Sequence, residues 1–200
     1  TAKVCKKHHV LMGVDNTFMS PYGQRPIEMG VDIVMHSSTK SLSGHSDILG
    51  GVLITNNDEL AEKLQFMQKA TGAVPSPFDC WLILRSTKTL DLRYQKAADN
   101  ANVLAWWLAK QKKLDRVIYP GLKSHPQYDI AVKQQRTPNG DVIFGNMISI
   151  DIGSIEARDR FIKKLEIFTL AESLGGVESL VCAPYNMTHA AVPEKTKLEM

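Results

Sequence analysis

Val10-Leu11-Met12-Gly13-Val14-Asp15 and Asp32-Ile33-Val34-Met35-His36-Ser37-Ser38-Thr39-Lys40 decide the fold of this 200-residue chain. Each is a short continuous apolar run that ends abruptly in polar residues, the pattern of a strand buried on both faces. Gly50–Thr55 (GGVLIT) is a third such run. Loops and helical crossovers separate them: Pro21, Gly23 and Pro26 break the chain after the first run, and Pro26–Met29 reads as a short helix. Buried runs alternating with crossovers predict a parallel sheet in an α/β fold.

Outward from these runs the helices are legible. Ala2–His8 reads as a helix end, with Lys6, Lys7 and His8 where the negative end of the dipole favours cations. Asp58–Lys69 is amphipathic, capped by Asn57, with Leu60, Leu64 and Met67 at helical spacing. Phe78 to about Lys110 is helical again, as a kinked or broken pair carrying Trp106 and Trp107 on different faces. Val117–Tyr119 and Met147–Ile152 alternate like strands of a half-exposed sheet, and Ile155–Leu165 follows as a helix. The tail Pro193–Met200 reads as the start of a helix. The change of texture predicts two domains, residues 1–90 and residues 91–200.

Composition narrows the class of protein. Hydrophobic residues make up 44% and charged residues 22%, which supports a real core and excludes wholesale disorder. A net charge of +3 without a clustered basic stripe gives no reason to expect nucleic acid or an anionic membrane as partner. Cys5, Cys80 and Cys182 are odd in number and contain no CxxC pair, so neither a disulfide framework nor a zinc site is expected, and a reducing, cytoplasmic setting is. No apolar run reaches the roughly 20 residues of a membrane span. The chain opens at Thr1 with no initiator Met or targeting segment, as though in the middle of something longer.

The chemistry concentrates at two strand ends. Ligands of parallel sheets sit beyond the carboxyl ends of the strands. Asp15 closes the first strand and Ser37-Ser38-Thr39-Lys40 leaves the second, so one carboxylate, three hydroxyls and one amine share an edge. Hydroxyls and backbone N–H groups in such a loop can cradle a phosphate, and the lysine can bind it or act as an amine nucleophile. Taken singly, Asp15 also reads as a turn-former and Lys40 as a surface charge. No GxxxxGK precedes Lys40, which sets aside a Walker-type nucleotide site.

The string as a whole resembles a known family. Asp15-Asn16-Thr17-Phe18, Ser37-Ser38-Thr39-Lys40 and Gly44-His45-Ser46-Asp47 closely resemble the Cys/Met-metabolism family of pyridoxal-phosphate enzymes. The resemblance continues through Gly72–Asp79, Lys88-Thr89-Leu90, Tyr119–Leu122, Ser124-His125-Pro126, Ala171–Gly176, Glu178-Ser179-Leu180 and Met187–Ala190, in the family's order. It implies fold type I, here the C-terminal part of a large cofactor domain followed by most of a smaller α/β domain. It also implies pyridoxal 5'-phosphate as cofactor. Lys40 is then the Schiff-base lysine and catalytic base, and Asp15 the partner of the pyridine nitrogen. Ser37 and Thr39 would hold the phosphate, and Thr17 would line the ring. Glu178 and Ser179 would meet the substrate, and no metal is expected. His45 is expected to be structural.

Within the family, GGVESL and the stretches AVPSPFDCW and YPGLKSHPQYD look closest to cystathionine γ-lyases, with γ-synthase and β-lyase as alternatives. The resemblance further implies a small sulfur amino acid as substrate and a homotetramer of tight dimers. It also has departures. Ser41 stands where the family carries an aromatic. The family's Gly-rich phosphate loop, ring-stacking tyrosine, Tyr-x-Arg and carboxylate-binding arginine fall outside these 200 residues. The expectation is the central piece of a longer enzyme, the alternatives being a noncatalytic partner chain and a phosphate-binding domain of unrelated chemistry.

Overall fold

The computed structural model describes residues 1–199. Helix α1 (Ala2–Lys7) leads to strand β1 (Gly13–Asp15), the short helix α2 (Ser20–Gly23) and a 3-10 turn at Pro26–Met29. Strand β2 (Ile33–Ser37) runs directly into a tight turn, Ser38–Leu42, and β3 (Gly51–Ile54) follows. These three strands form one sheet in the order β1-β2-β3.

β1 and β2 are parallel, with Asp15 opposite Met35. β3 is antiparallel to β2, with Ser37 opposite Gly51 and Val34 opposite Ile54. The expectation of a mainly parallel sheet is met by β1 and β2, and the third strand departs from it. The reason lies in the link: residues 38–50 hold a turn, Ser38–Leu42, and no α-helix to carry the chain back along the sheet, so β3 starts beside the end of β2, with Gly51 opposite Ser37. A second correction concerns burial. In β2 only Val34 and His36 are buried, at 2% exposure each, while Leu11 before β1 and Leu53 in β3 are 61% and 54% exposed. Apolar composition reports what a strand is able to bury, not what covers it.

Helix α3 (Asp58–Thr71) begins where Asn57 Oδ1 accepts the Leu60 amide at 2.8 Å and ends at Gly72, whose φ of 71° is the left-handed conformation of a helix stop. Helix α4 (Pro77–Thr87) starts with the Ser76 hydroxyl accepting the Asp79 amide and with Pro at its first position. The break falls at Lys88–Thr89, and α5 (Leu90–Leu108) continues, so the long helical stretch is a broken pair as expected. Leu90, Tyr94, Ala98, Ala101, Ala105 and Leu108 form its buried stripe, while Trp106 and Trp107 are exposed. That stripe enters two cores. One joins Leu90, Tyr94 and Ala98 to Met19, Leu42 and Ile143, and the other joins Ala101 and Ala105 to Tyr119 and Leu122. The Tyr94 hydroxyl donates to the Phe18 carbonyl at 2.6 Å, which satisfies its one polar group in an otherwise apolar setting.

The remainder consists of β4 (Arg116–Ile118), α6 (Tyr128–Gln134), β5 (Ser149–Asp151), α7 (Ile155–Ile162), β6 (Thr169–Leu170), β7 (Leu180–Val181) and α8 (Glu194–Glu199). β4 pairs antiparallel with β5, and β6 parallel with β7. β4 overlaps the first alternating stretch read as a strand, Val117–Tyr119, starting one residue earlier, and β5 lies inside the second; α6, β6 and β7 are additions. α8 falls within the expected terminal helix, whose last residue, Met200, lies outside the described residues. Among the described residues no helix is long and apolar enough to cross a membrane.

Candidate functional site

The site grows from the carboxyl ends of β1 and β2. Parallel pairing in register, Asp15 beside Met35, brings the exit of one strand next to the exit of the other. Asp15 folds its carboxylate back over its own loop, with Oδ1 accepting the Thr17 amide at 2.9 Å, an Asx-type turn. Thr17, 8% exposed, accepts the Ser37 amide on its Oγ1 at 2.8 Å and so ties the two exits together. Asn16 secures the same loop from behind: its Nδ2 donates to the carbonyls of Ser20 and Gln24 at 3.1 and 2.9 Å.

Lys40 occupies the bend of the turn that follows β2. Its backbone, at φ −89° and ψ −131°, interrupts the helical path between Ser38 and Leu42. The turn closes around it: the Gly44 amide donates to the Lys40 carbonyl at 2.7 Å, and the Ser43 amide to the Ser38 carbonyl at 3.0 Å. Lys40, Ser37 and Thr39 are half-buried, whereas Ser38 and Ser41 are buried. Thr39 Oγ1 accepts the Gly50 amide at 3.0 Å and donates to the Gly50 carbonyl over a long 3.4 Å. Its hydroxyl thus spends part of its capacity on closing the loop to β3. The buried oxygens of Ser38 and Ser41, and Nδ1 of His36, have no hydrogen-bond partner among the described residues. Burial pushes the His36 imidazole below its ordinary pKa, with Asp15 opposing that shift.

The loop at residues 175–179 lies against this turn. The Val177 amide donates to the Gly44 carbonyl at 3.1 Å, and Gly175 packs so closely that a Cβ there would stand 2.5 Å from the Ser41 nitrogen. Glu178 and Ser179 are exposed at the end of that loop. His45 is exposed as well, its Nδ1 2.6 Å from the Ser43 carbonyl, a contact within the turn. The structure therefore gathers Asp15, Thr17, Ser37, Thr39 and Lys40 on one sheet edge and brings the backbone of the Glu178–Ser179 loop onto the segment after Lys40. Arg93, which sequence reasoning passed over, donates from α5 into the same turn. A basic residue three positions into a helix has no periodic signature, and only its tertiary partners reveal it.

The chain matches, over residues 1–200, the family described as Cys/Met metabolism PLP-dependent enzyme. It belongs to this family. It is 52% identical over 187 residues to a cystathionine gamma-lyase of Dictyostelium discoideum, an alignment covering 94% of this chain and 47% of that protein. It is 46% identical over 201 residues to a cystathionine beta-lyase of Coxiella burnetii, an alignment covering 100% of this chain and 50% of that protein.

 Among solved structures, cystathionine gamma-lyase from Lactobacillus plantarum superposes with a TM-score of 0.93 at 39% identity, over 99% of this chain and 50% of that one. Cystathionine gamma synthase from Xanthomonas oryzae pv. oryzae superposes with a TM-score of 0.92 at 41% identity, over 98% and 50%. The chain thus spans about half the length of the relatives it matches, and its fold is part of the α/β fold type I of these enzymes.

The donor set fits the family's cofactor. A half-buried amine, a carboxylate one strand away and two half-buried hydroxyls beside the amine are the groups that an aldehyde, a pyridine nitrogen and a phosphate each require.

Proposed function

We propose that this chain carries the lysine-bearing part of a pyridoxal-phosphate-dependent carbon–sulfur lyase of trans-sulfuration. Its proposed reaction is γ-elimination of cystathionine to cysteine, 2-oxobutyrate and ammonia. The observation that supports this reading best is the pairing of β1 with β2, which puts Asp15 and the Ser37–Lys40 segment at adjacent strand ends.

Bound pyridoxal phosphate supplies an electron sink for the carbanion next to the substrate's amino group. In this reading the Lys40 Nζ takes the proton from the substrate Cα and returns protons along the substrate chain. Asp15 holds a proton at the pyridine nitrogen. Ser37 and Thr39 bind the phosphate, for which the Thr39 proton turns from its long contact with Gly50. Thr17 lines the ring, Glu178 faces the distal amino group of the substrate, and Ser179 lies beside its carboxylate.

Residues 1–90 then belong to the cofactor domain and 91–200 to the smaller one. A cytoplasmic homotetramer built from dimers acting on a small sulfur amino acid completes the proposal. The γ-synthase and β-lyase reactions are the alternatives, supported by relatives of both names at similar identity. Incubating the full chain with pyridoxal phosphate and cystathionine separates them: cysteine with 2-oxobutyrate supports γ-elimination, and homocysteine with pyruvate overturns it in favour of β-elimination. Lack of turnover by a chain that still binds the cofactor favours a noncatalytic partner.

A further inference from the structure

The turn that carries Lys40 is held from outside by one side chain. Arg93, half-buried on α5, donates from Nη1 to the Ser41 carbonyl at 2.9 Å and from Nη2 to the Leu42 carbonyl at 3.4 Å. The same Nη2 donates to the Ser86 carbonyl near the end of α4 at 2.9 Å, and Nε to the Thr89 hydroxyl at 3.1 Å. Four neutral oxygens from three segments thus share one planar cation. The two carbonyls nearest Lys40 are those that follow the bend in its backbone.

The fit of the guanidinium depends on Gly44, where any Cβ would overlap it. The Val177 amide holds the Gly44 carbonyl. The segment from Ser41 to Gly44 is therefore held both by α5 and by the 175–179 loop.

We propose that Arg93 is a positioning residue for Lys40: its fork fixes the Ser41 and Leu42 carbonyls and with them the direction in which the lysine side chain leaves the turn. Only a guanidinium spans these acceptors. A lysine at 93 keeps the charge but presents a single ammonium that reaches one or two of them. This inference rests on the reading of Lys40 as the cofactor lysine, and its test distinguishes failure of either.

The full chain and its Arg93→Gln and Arg93→Lys variants are incubated with pyridoxal phosphate, reduced with borohydride, and the label on every lysine is quantified by peptide mass spectrometry. Circular dichroism and a thermal melt establish that each variant is folded at the labelling temperature. The expected result is label concentrated on Lys40 in the parent chain. In folded R93Q the preference for Lys40 over the other lysines falls about tenfold, the scale of loss expected from a misaimed reactive group. A general loss of stability leaves site preference in the folded state unchanged, so preference reads positioning specifically. Parent label elsewhere than Lys40 defeats both readings. Parent label on Lys40 with unchanged preference in folded R93Q defeats only the role of Arg93. Should R93Q not fold, R93K decides: most of the preference is lost if the fork matters, and parent-like preference overturns the proposal.

Discussion

The hydroxyl of Thr17 accepts the backbone amide of Ser37 at 2.8 Å, joining the loop after β1 to the last residue of β2. Replacing Thr17 with Val keeps the shape and removes the acceptor, leaving a part-buried amide unpaired at a cost of about 1–3 kcal/mol. Thr17→Ser retains the oxygen and stays closer to the parent chain. Urea unfolding of both variants checks the order; equal stability of Thr17→Val and the parent chain would show that the bond contributes nothing.

Gly175 has a φ of 78°, and its backbone lies against Ser41. Gly175→Ala meets two costs, a left-handed conformation and a Cβ 2.5 Å from the Ser41 nitrogen. The loop shifts away from the turn, and the expected loss is on the order of 1–3 kcal/mol. Hydrogen exchange at Val177 reports it locally, because that amide is bonded to Gly44. Faster exchange at Val177 in the variant is expected, and unchanged protection would contradict the packing described here.

His36 is 2% exposed, and burial lowers its pKa. The unfolded chain therefore binds a proton at this residue more readily than the folded chain does. The stability associated with the neutral imidazole is complete above the unfolded value of about 6.5 and is lost as pH falls through it toward the folded value. Melting temperatures taken from pH 8 down to about pH 5 should fall, and His36→Gln should flatten that part of the decline. A variant with the same pH dependence as the parent would assign the decline to other groups.

Glu178 is exposed on the loop that docks beside the Lys40 turn. If it faces the distal amino group of cystathionine, Glu178→Ala raises KM for cystathionine by about tenfold, the worth of a lost charge-assisted contact, and leaves the melting temperature within error. Unaltered turnover and product ratio would remove the basis for preferring γ-elimination.

What the sequence made legible was local. VLMGVD and DIVMHSSTK announce strands with polar exits, which placed Asp15 and Lys40 on one edge, and Asn57 announces the start of a helix. The direction of β3 was not legible in GGVLIT, since an apolar run has no polarity; the link of residues 38–50, which forms a turn and no crossover helix, sets it instead. The two-residue strands β6 and β7 leave too little pattern to read. Arg93 was hidden for a different reason: its role is written in backbone carbonyls of two other segments, which carry no side-chain signature. The family resemblance, by contrast, extended over the whole chain because it reads ordered motifs rather than periodicity.

The central claim is that Lys40 is the residue that engages pyridoxal phosphate. Borohydride reduction of the chain loaded with the cofactor, followed by peptide mass spectrometry, tests it most directly. The account predicts the reduced cofactor on Lys40, and its loss from that peptide in Lys40→Ala without redistribution to a single other lysine. Label on a different lysine, or none in a folded chain supplied with excess cofactor, would contradict it.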